Sequence, residues 1–408
     1  MFRGSPLKCV GAALAATMAL AVLGSAAGGN AQGQAEPARE SAAPAMADLY
    51  PSRDVELSAP PPLAVAAGTQ CDTNGNIYLQ YASDPLEAFF ERVRNGQPLN
   101  LPLRKVSIDS KGVVSFAVGP FEDYGWFASH AFYVAPNGVV YNLAEACKGK
   151  PGPGVHETCA WFVTKYNDDG KVESVTRLRP PREESFIPSK FAVFPDGNLV
   201  VVGLMRDETQ GRTLFAGLFD RSGGFLRELT LAQDAGPAPG VTPTPNENPA
   251  GEMPRPGPSD SGRQTDQQQA HTRVVKAVSE GLMFGAPDGT VYLLRGGSPQ
   301  KLDVLSSDGS LLPKPDITPP RDGLTSLNAS LSAQGQIVVY YSGGATAKDP
   351  NQHEVIAVVD PETGKVTSTY NVPPKAGIPA CVTRKGEFLF ARQSKSGLLQ
   401  VVGYTPLH

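Results

Sequence analysis

The 408-residue sequence has no excess of positive charge, since it contains 36 Lys and Arg against 40 Asp and Glu. No basic cluster is present that would neutralise phosphates, so nucleic acid is not an expected partner. After residue 23 the sequence also lacks any apolar run of the roughly 20 residues that a membrane-spanning helix needs. These absences argue against a nucleic-acid-binding protein and against a membrane span.

Histidine is scarce as well. The chain has five histidines, and no G-x-S-x-G motif that would present a catalytic serine accompanies them. His271 lies in a proline-rich segment and His408 is the last residue, so neither is well placed for chemistry. We therefore predict no catalytic residue.

The N-terminus has the pattern of a secretory signal peptide. Arg3 and Lys8 precede an apolar run from Cys9 to Leu23, and small residues suited to cleavage follow. The run is shorter than a spanning helix, which makes a membrane anchor the less favoured alternative. We expect residues 1–27 to be removed and the protein to be secreted or periplasmic.

Four cysteines remain after this cleavage: Cys71, Cys147, Cys159 and Cys381. An even number of cysteines in an exported chain favours disulfides over free thiols. Four cysteines allow three pairings, and their count alone does not choose among them.

A short turn recurs six times between β-rich runs, as in "FAVFPDGNLVVVG" and "AFYVAPNGVVYNL". Glycine supplies the positive φ of such a turn, and the preceding Asn or Asp can bond its own backbone. The six turn glycines are Gly75, Gly138, Gly197, Gly289, Gly335 and Gly386. A second class of hairpin, as in "GLFDRSGGFLREL", follows each of the first five, so each repeat predicts four antiparallel strands.

Two segments interrupt or precede this pattern. Residues 234–272 are rich in Pro, Gly, Ser and Gln and have few large apolar residues, so we expect a disordered insert. Residues 28–53 are rich in Ala and Pro, and we expect them to be disordered as well. The ordered domain should then cover residues 54–408.

The repeated corners "PDGNLVV" and "PNGVVY" resemble those of six-bladed β-propellers of the NHL-repeat type. This resemblance implies an all-β ring of six blades, each with four antiparallel strands. Only one strand follows Gly386, so "RDVELSAP" (53–60) is expected to pair into the last blade and close the ring. A β-sandwich or two stacked barrels is the alternative.

Ligand-binding residues are expected on the face opposite the six corners, where loops are longer. The segment "GPFEDYGWFASHA" (119–131) combines aromatic and titratable side chains, which suits recognition of a ligand. Arginines on two proline-rich loops are weaker candidates. The predicted ligand residues are Glu122, Asp123, Tyr124, Trp126, His130, Arg182 and Arg321; packing and solvation are the alternatives.

These observations leave two function classes open. The first is a non-enzymatic exported scaffold, expected to be monomeric, that binds a protein, peptide or glycan. The second is an enzyme of the lactonase or lyase kind with a site at the central channel, which rests on the resemblance alone. We favour the scaffold, and we predict no metal site and no cofactor, because the predicted inner strands offer too few converging ligands.

Two disulfides are expected. Cys147 and Cys159 enclose a short connection between two strands of the second repeat, which favours their pairing. Cys71 lies four residues before Gly75 and Cys381 lies five before Gly386, which places both on first strands at similar heights. Their spacing does not settle whether they face each other, so two buried thiols are the alternative to a bond.

Overall fold

The computed structural model describes residues 46–406, apart from residues 63, 83–86, 89–90, 93–94, 96–100, 120, 150–158, 183–184, 208–210, 232–280, 298 and 344–353. The predicted signal peptide (1–27) and insert (234–272) lie outside the described residues. Within the described part of the chain, no helix is both long and apolar enough to cross a membrane.

The described residues form 24 strands, beginning with β1 (Met46–Leu57), and β2 to β17 make four antiparallel sheets in which each strand pairs with the next. The first sheet contains β2 (Ala64–Cys71), β3 (Ile77–Ala82), β4 (Leu103–Ser107) and β5 (Gly112–Phe116). The second contains β6 (Trp126–Val134), β7 (Val140–Cys147), β8 (Cys159–Tyr166) and β9 (Val172–Leu178). The third contains β10 (Phe186–Val193), β11 (Leu199–Asp207), β12 (Gly211–Phe219) and β13 (Phe225–Glu228). The fourth contains β14 (Leu282–Gly285), β15 (Val291–Arg295), β16 (Gln300–Leu305) and β17 (Leu311–Ile317).

The remaining strands form one eight-stranded sheet in the order β18-β19-β20-β21-β1-β24-β23-β22. Its other members are β18 (Leu324–Leu331), β19 (Ile337–Gly343), β20 (Glu354–Val359), β21 (Val366–Asn371), β22 (Ile378–Val382), β23 (Phe388–Gln393) and β24 (Leu399–Pro406). Two antiparallel halves meet where β1 runs parallel to β21, pairing Met46–Asp48 with Thr369–Asn371. The rest of β1 pairs antiparallel with β24, from Leu49 to Leu57.

The six corner turns adopt the predicted backbone. Their glycines have φ between 77° and 89°, the left-handed region that favours glycine. In each turn the glycine N–H donates to the carbonyl three residues earlier, as from Gly197 to Phe194 at 2.9 Å. Residues of all six turns line two cavities that share Pro136, Pro287 and Arg384, so the turns lie at one end of the ring. We call this end the corner-turn face and the opposite end the long-loop face.

The first strands of the repeats stand side by side around the centre. Contacts join β2 to β6, β6 to β10, β10 to β14, β14 to β18, β18 to β22, and β22 to β2. The core lies between successive sheets, where side chains such as Leu143 of β7 and Phe191 of β10 pack together out of water. The described chain is therefore all-β, with four-stranded antiparallel sheets arranged in a propeller ring, as the sequence predicted.

Covalent and polar links join the first strands where the two ends of the ring meet. Cys71 of β2 is bonded to Cys381 of β22, with Cα atoms 6.0 Å apart. The Asn328 amide of β18 donates to Thr69 Oγ1 at 2.6 Å and to the Ala380 carbonyl at 2.8 Å.

A second disulfide joins two neighbouring strands of the second sheet. Cys147 is bonded to Cys159, with Cα atoms 4.0 Å apart. Both expected disulfides are therefore present.

The N-terminal strand differs from the expectation at its start. β1 begins at Met46, so it includes the end of the segment 28–53 that was expected to be disordered. Its first residues gain backbone partners on β21, and a register shift between Pro51 and Arg53 lets the strand continue past the proline. Backbone pairing thus orders residues whose composition alone predicts no structure.

Candidate functional site

The turn before β6 carries three of the predicted ligand residues. Glu122 and Asp123 are exposed in a turn that an isolated bridge between Phe121 and Tyr124 closes. The Tyr124 ring packs edge-on against Phe162, with centroids 5.2 Å apart. Glu122 and Asp123 therefore contact solvent, while Tyr124 is anchored to the second sheet.

Trp126 begins β6, and the cross-strand register defines its neighbours. It lies opposite Cys147 of β7, which lies opposite Cys159 of β8. Two residues along β7, Glu145 lies opposite Trp161. Directly opposite residues, and residues two apart on a strand, share a face of a sheet. These five residues therefore lie on one face of the second sheet.

His130 reaches the same face through a β-bulge. The register of β6 against β7 shifts between Ser129 and Ala131, which leaves His130 without a directly opposite residue. Its imidazole meets the Trp161 ring edge-on, with centroids 4.8 Å apart, and its Nε2 lies 3.6 Å from Oε2 of Glu145. We call Trp126, His130, Glu145, Trp161 and the Cys147–Cys159 disulfide the tryptophan cluster.

Two buried polar atoms of the tryptophan cluster, Trp126 Nε1 and His130 Nε2, have no hydrogen-bond partner among the described residues. The 3.6 Å separation from Glu145 is too long for a hydrogen bond. By contrast, Trp161 Nε1 donates to the Phe186 carbonyl at 3.2 Å. An unpaired buried polar group costs about 1–3 kcal/mol, so a partner for these two atoms would stabilise the site.

Two side chains of the cluster are partly accessible to solvent. The side chains of His130 and Glu145 remain 16 % and 22 % exposed. If the imidazole is protonated, it forms a charge pair with the carboxylate; if it is neutral, it can accept or donate one hydrogen bond. The arrangement can thus offer an indole donor, an imidazole and a carboxylate acceptor to one ligand.

The cluster does not fit a metal ion. In the described part of the chain, ligand atoms of Glu145, Cys147 and Cys159 all lie within 4.8 Å of one another. However, the two cysteines are joined in a disulfide and have no thiolate to donate. The Glu145 carboxylate and the His130 imidazole remain, and two ligands are too few for a metal centre.

The two predicted arginines lie elsewhere. Arg182 is exposed in the connection between β9 and β10, where its carbonyl accepts from the Ser185 N–H at 3.2 Å. Arg321 is exposed between β17 and β18, and its guanidinium contacts Met46 Sδ at 3.2 Å. Of the seven predicted residues, the structure brings Trp126 and His130 together within one cluster.

Glu145 and Trp161 complete the cluster, although the sequence did not indicate them. They lie 15 and 31 residues after His130 along the chain, within strands that read as ordinary sheet. Alternation along β7 and β8 would have placed them on one face, but choosing that face requires the strand register.

Two cavities open on the corner-turn face, with volumes of about 830 Å³ and 750 Å³. None of the seven predicted ligand residues lines either of them. In the larger cavity the acidic groups already have partners. The Asp72 carboxylate accepts from the Asn74 and Asn76 N–H groups at 2.9 and 3.0 Å. Glu387 accepts from Ser52 at 2.7 Å and lies 3.3 Å from an Arg53 nitrogen.

No protein-family model and no curated protein matches the chain. Among solved structures, a protein of unknown function from Bacteroides caccae is 11 % identical, with a TM-score of 0.40, and the match covers 75 % of this chain and 81 % of that one. A protein provisionally named a gluconolactonase is 11 % identical, with a TM-score of 0.42 and coverage of 88 % and 96 %. A protein provisionally named an oxidoreductase (glucose dehydrogenase), from Thermus thermophilus, is 14 % identical, with a TM-score of 0.38 and coverage of 86 % and 99 %. These similarities assign no function to this chain.

Proposed function

We propose that the ring is a six-bladed propeller of the NHL-repeat type, in which the eight-stranded sheet represents two blades. The support is that β1 adds a fourth strand beside β24, and that contacts link the six first strands in a closed series. The Cys71–Cys381 bond lies at the junction of the first and last repeats. Two disulfides also support export to an oxidising compartment, secreted or periplasmic.

We propose further that this monomeric propeller is a binding scaffold whose long-loop face takes a ligand at the tryptophan cluster. The observation that carries this proposal is the pair of unpartnered buried atoms, Trp126 Nε1 and His130 Nε2. A bound ligand would supply their missing hydrogen bonds, and exclusion of water from the cluster would strengthen both.

Among a protein, a peptide and a glycan, the chemistry of the cluster favours a glycan. Sugar hydroxyls both donate and accept, so one hydroxyl can donate to the Glu145 carboxylate while another accepts from the Trp126 N–H. The partly exposed ring of Trp126 offers apolar surface to a sugar ring. The exposed Glu122 and Asp123 flank the strand that carries Trp126 and would contact the outer sugar units.

The tryptophans themselves provide the assay, because both tryptophans of the chain belong to the cluster. Binding of an oligosaccharide from a panel of neutral glycans should change tryptophan fluorescence, and calorimetry should give the same dissociation constant. Trp126→Phe keeps an aromatic ring but removes the N–H, and should weaken binding by about fivefold to tenfold for one lost hydrogen bond. Glu122→Gln removes the charge of an exposed outer contact and should weaken binding by less than about threefold. Lys171→Ala, on an exposed turn at the other end of the same sheet, is the control and should leave the affinity unchanged.

Two results would contradict the scaffold. Equal affinity of the native protein and the Trp126→Phe variant would remove the cluster from the binding site. Recovery of the glycan, or of a lactone, as a changed product would favour the enzyme instead, and elemental analysis of the purified protein for a divalent metal would test that alternative directly.

A further inference from the structure

The smaller cavity of the corner-turn face, of about 750 Å³, is separate from the tryptophan cluster, and no residue of that cluster lines it. It lies between the second and third sheets and extends toward the centre of the ring. Its lining includes parts of five corner turns, together with residues of β7, β8 and β9. Its volume lies within the range of about 300–1,000 Å³ that is typical of small-molecule sites.

Unpaired positive charge distinguishes this cavity. Arg221, on the turn after β12, and Arg384, on the turn after β22, both line it, and no ion pair found among the described residues uses either of them. Lys165 also lines the cavity, but its amine is 2.6 Å from the Glu173 carboxylate. Two arginines from different sheets therefore line the same cavity, and neither has a carboxylate partner among the described residues.

Little negative charge opposes them. Asp196 is the one acidic residue among the described residues that line the cavity. Its carboxylate oxygens accept from the Asn198 backbone N–H at 3.0 Å and from the Asn198 side-chain amide at 3.1 Å. These bonds fix the acidic group in its own turn. The cavity thus keeps a net positive charge and favours an anionic occupant.

The inner part of the cavity is lined by neutral polar side chains. Tyr133 and Tyr141 line it with ring centroids 6.4 Å apart. Burial raises the pKa of Tyr133, and burial also raises the pKa of Tyr141, so both hydroxyls stay protonated at neutral pH. The hydroxyl groups of Ser174 and Thr176 are donors in the lining, whereas the Thr73 hydroxyl already donates to the Pro136 carbonyl at 2.9 Å.

We propose that this cavity binds a small organic anion with at least two carboxylate groups, one held by Arg221 and another by Arg384. A guanidinium group pairs with a carboxylate through two parallel hydrogen bonds, which gives geometric selectivity as well as charge. Two arginines on separate turns require two anionic groups on one ligand, whereas a single carboxylate would satisfy one of them.

Calorimetry on the full mature protein tests this directly, with citrate as the probe. Citrate should bind, and acetate, which has one carboxylate, should bind at least 100-fold more weakly. Pyrophosphate distinguishes phosphate from carboxylate recognition and should bind more weakly than citrate. Raising the salt concentration should weaken citrate binding, because exposed charges are screened.

Variants assign the effect to the two arginines. Arg221→Ala and Arg384→Ala should each weaken citrate binding about tenfold or more. Arg384→Lys should bind citrate better than Arg384→Ala but less well than the native protein, because a lysine amine cannot form the two parallel hydrogen bonds of a guanidinium group. Lys171→Ala removes one charge from an exposed hairpin turn outside the cavity lining and should leave citrate affinity within twofold. Trp126→Phe should leave the affinity for citrate unchanged, which would show that the citrate site and the glycan site are separate.

Three results would overturn the proposal: no citrate binding by the native protein, equal binding by the Arg221→Ala/Arg384→Ala double variant, or tighter binding of pyrophosphate than of citrate. Because both arginines are exposed, the variants should melt within a few degrees of the native protein. A native-like melting curve therefore makes each binding result decisive.

Discussion

Asn328 shows at the scale of one residue how the centre of the ring is held. Its amide donates to Thr69 on β2 and to the Ala380 carbonyl on β22, although the three residues are far apart in sequence. Asn328 is buried, whereas its neighbour Leu327 is 48 % exposed. The same buried amide makes the Asn-Ala-Ser glycosylation motif at this position inaccessible in the folded protein.

We predict that Asn328→Ala lowers the free energy of unfolding by about 1–3 kcal/mol, because the Thr69 hydroxyl and the Ala380 carbonyl lose their shared donor. Urea denaturation followed by circular dichroism measures this difference. Leu327→Ala is the adjacent control and should stay within about 0.5 kcal/mol of the native protein. Equal losses in the two variants would show that the amide link contributes nothing specific.

Lys190 is a second residue whose substitution should change the stability of the fold. It lies opposite Val202 on the third sheet, and burial lowers the pKa of its amine below 10.5. Among the described residues, no hydrogen bond or ion pair to this amine offsets the cost of burying its charge. Between the lowered pKa and 10.5, the unfolded chain holds this proton and the folded chain does not, so stability rises with pH in that window.

Lys190→Met should therefore raise the free energy of unfolding at pH 7 by about 1–3 kcal/mol, because an apolar chain of similar length removes the desolvation cost. The native protein should gain more stability than the variant between pH 7 and a pH just below 10.5. Urea titrations at the two pH values test both statements. A destabilised variant would mean that the amine has a partner that stabilises its charge.

At the scale of strands, the two disulfides close loops of very different length. Cys147–Cys159 spans 12 residues and Cys71–Cys381 spans 310. In the chain-entropy model the short loop contributes about 3 kcal/mol and the long loop about 5–6 kcal/mol. We predict that replacing Cys71 and Cys381 by serine lowers stability more than replacing the other pair. Matched urea curves of the two double variants measure the order, and the reverse order would contradict the loop-length argument.

The first strand leads to a separate prediction. β1 covers the free edge of β24 through pairs from Leu49 to Leu57, and Leu57 is buried. A chain that starts at residue 58 should expose that edge and aggregate, because an unpaired strand edge templates association. A chain that starts at residue 46 is the control and should remain monomeric in size-exclusion chromatography. A monomeric, equally stable shorter chain would show that β1 is dispensable.

The sequence predicted the strands and turns better than their partners. Glycine at Gly75 or Gly197 is required by a positive φ, which is a local property, so the pattern revealed every corner turn. The start of β1 at Met46 was missed because its pairing with Thr369 is a long-range contact. The bulge at His130 was missed for the same reason, and it decides which face the imidazole occupies.

At the scale of the whole molecule, the insert at residues 234–272 stays a prediction, because it lies outside the described residues. Its composition offers almost nothing to bury, and doubling the length of a loop costs only about 0.6 kcal/mol. Deleting residues 236–270 should therefore leave the melting temperature within a few degrees of the native value, as measured by calorimetry. A fall of many degrees would show that the insert packs on the ring.

The repeat period was sufficient to predict an all-β ring, but it was insufficient to locate the sites. Each repeat encodes its own four strands, whereas a site forms from several repeats whose approach depends on the packing of the sheets. Arg221 and Arg384 illustrate this, since 163 residues separate them along the chain while both line one cavity. Trp126 and His130 could be proposed together from the sequence because they are close along the chain.

The pairing of β1 with β24 also sets the order of events during synthesis. β1 is made before the other strands, yet its antiparallel partner is made last, about 340 residues later by the positions of Leu57 and Leu399. At about 5–20 residues per second, the nascent strand waits roughly 17–70 s for that partner. The sheet that contains β1 therefore cannot be completed until β24 has been synthesised, so the ring stays open for most of the time that synthesis takes.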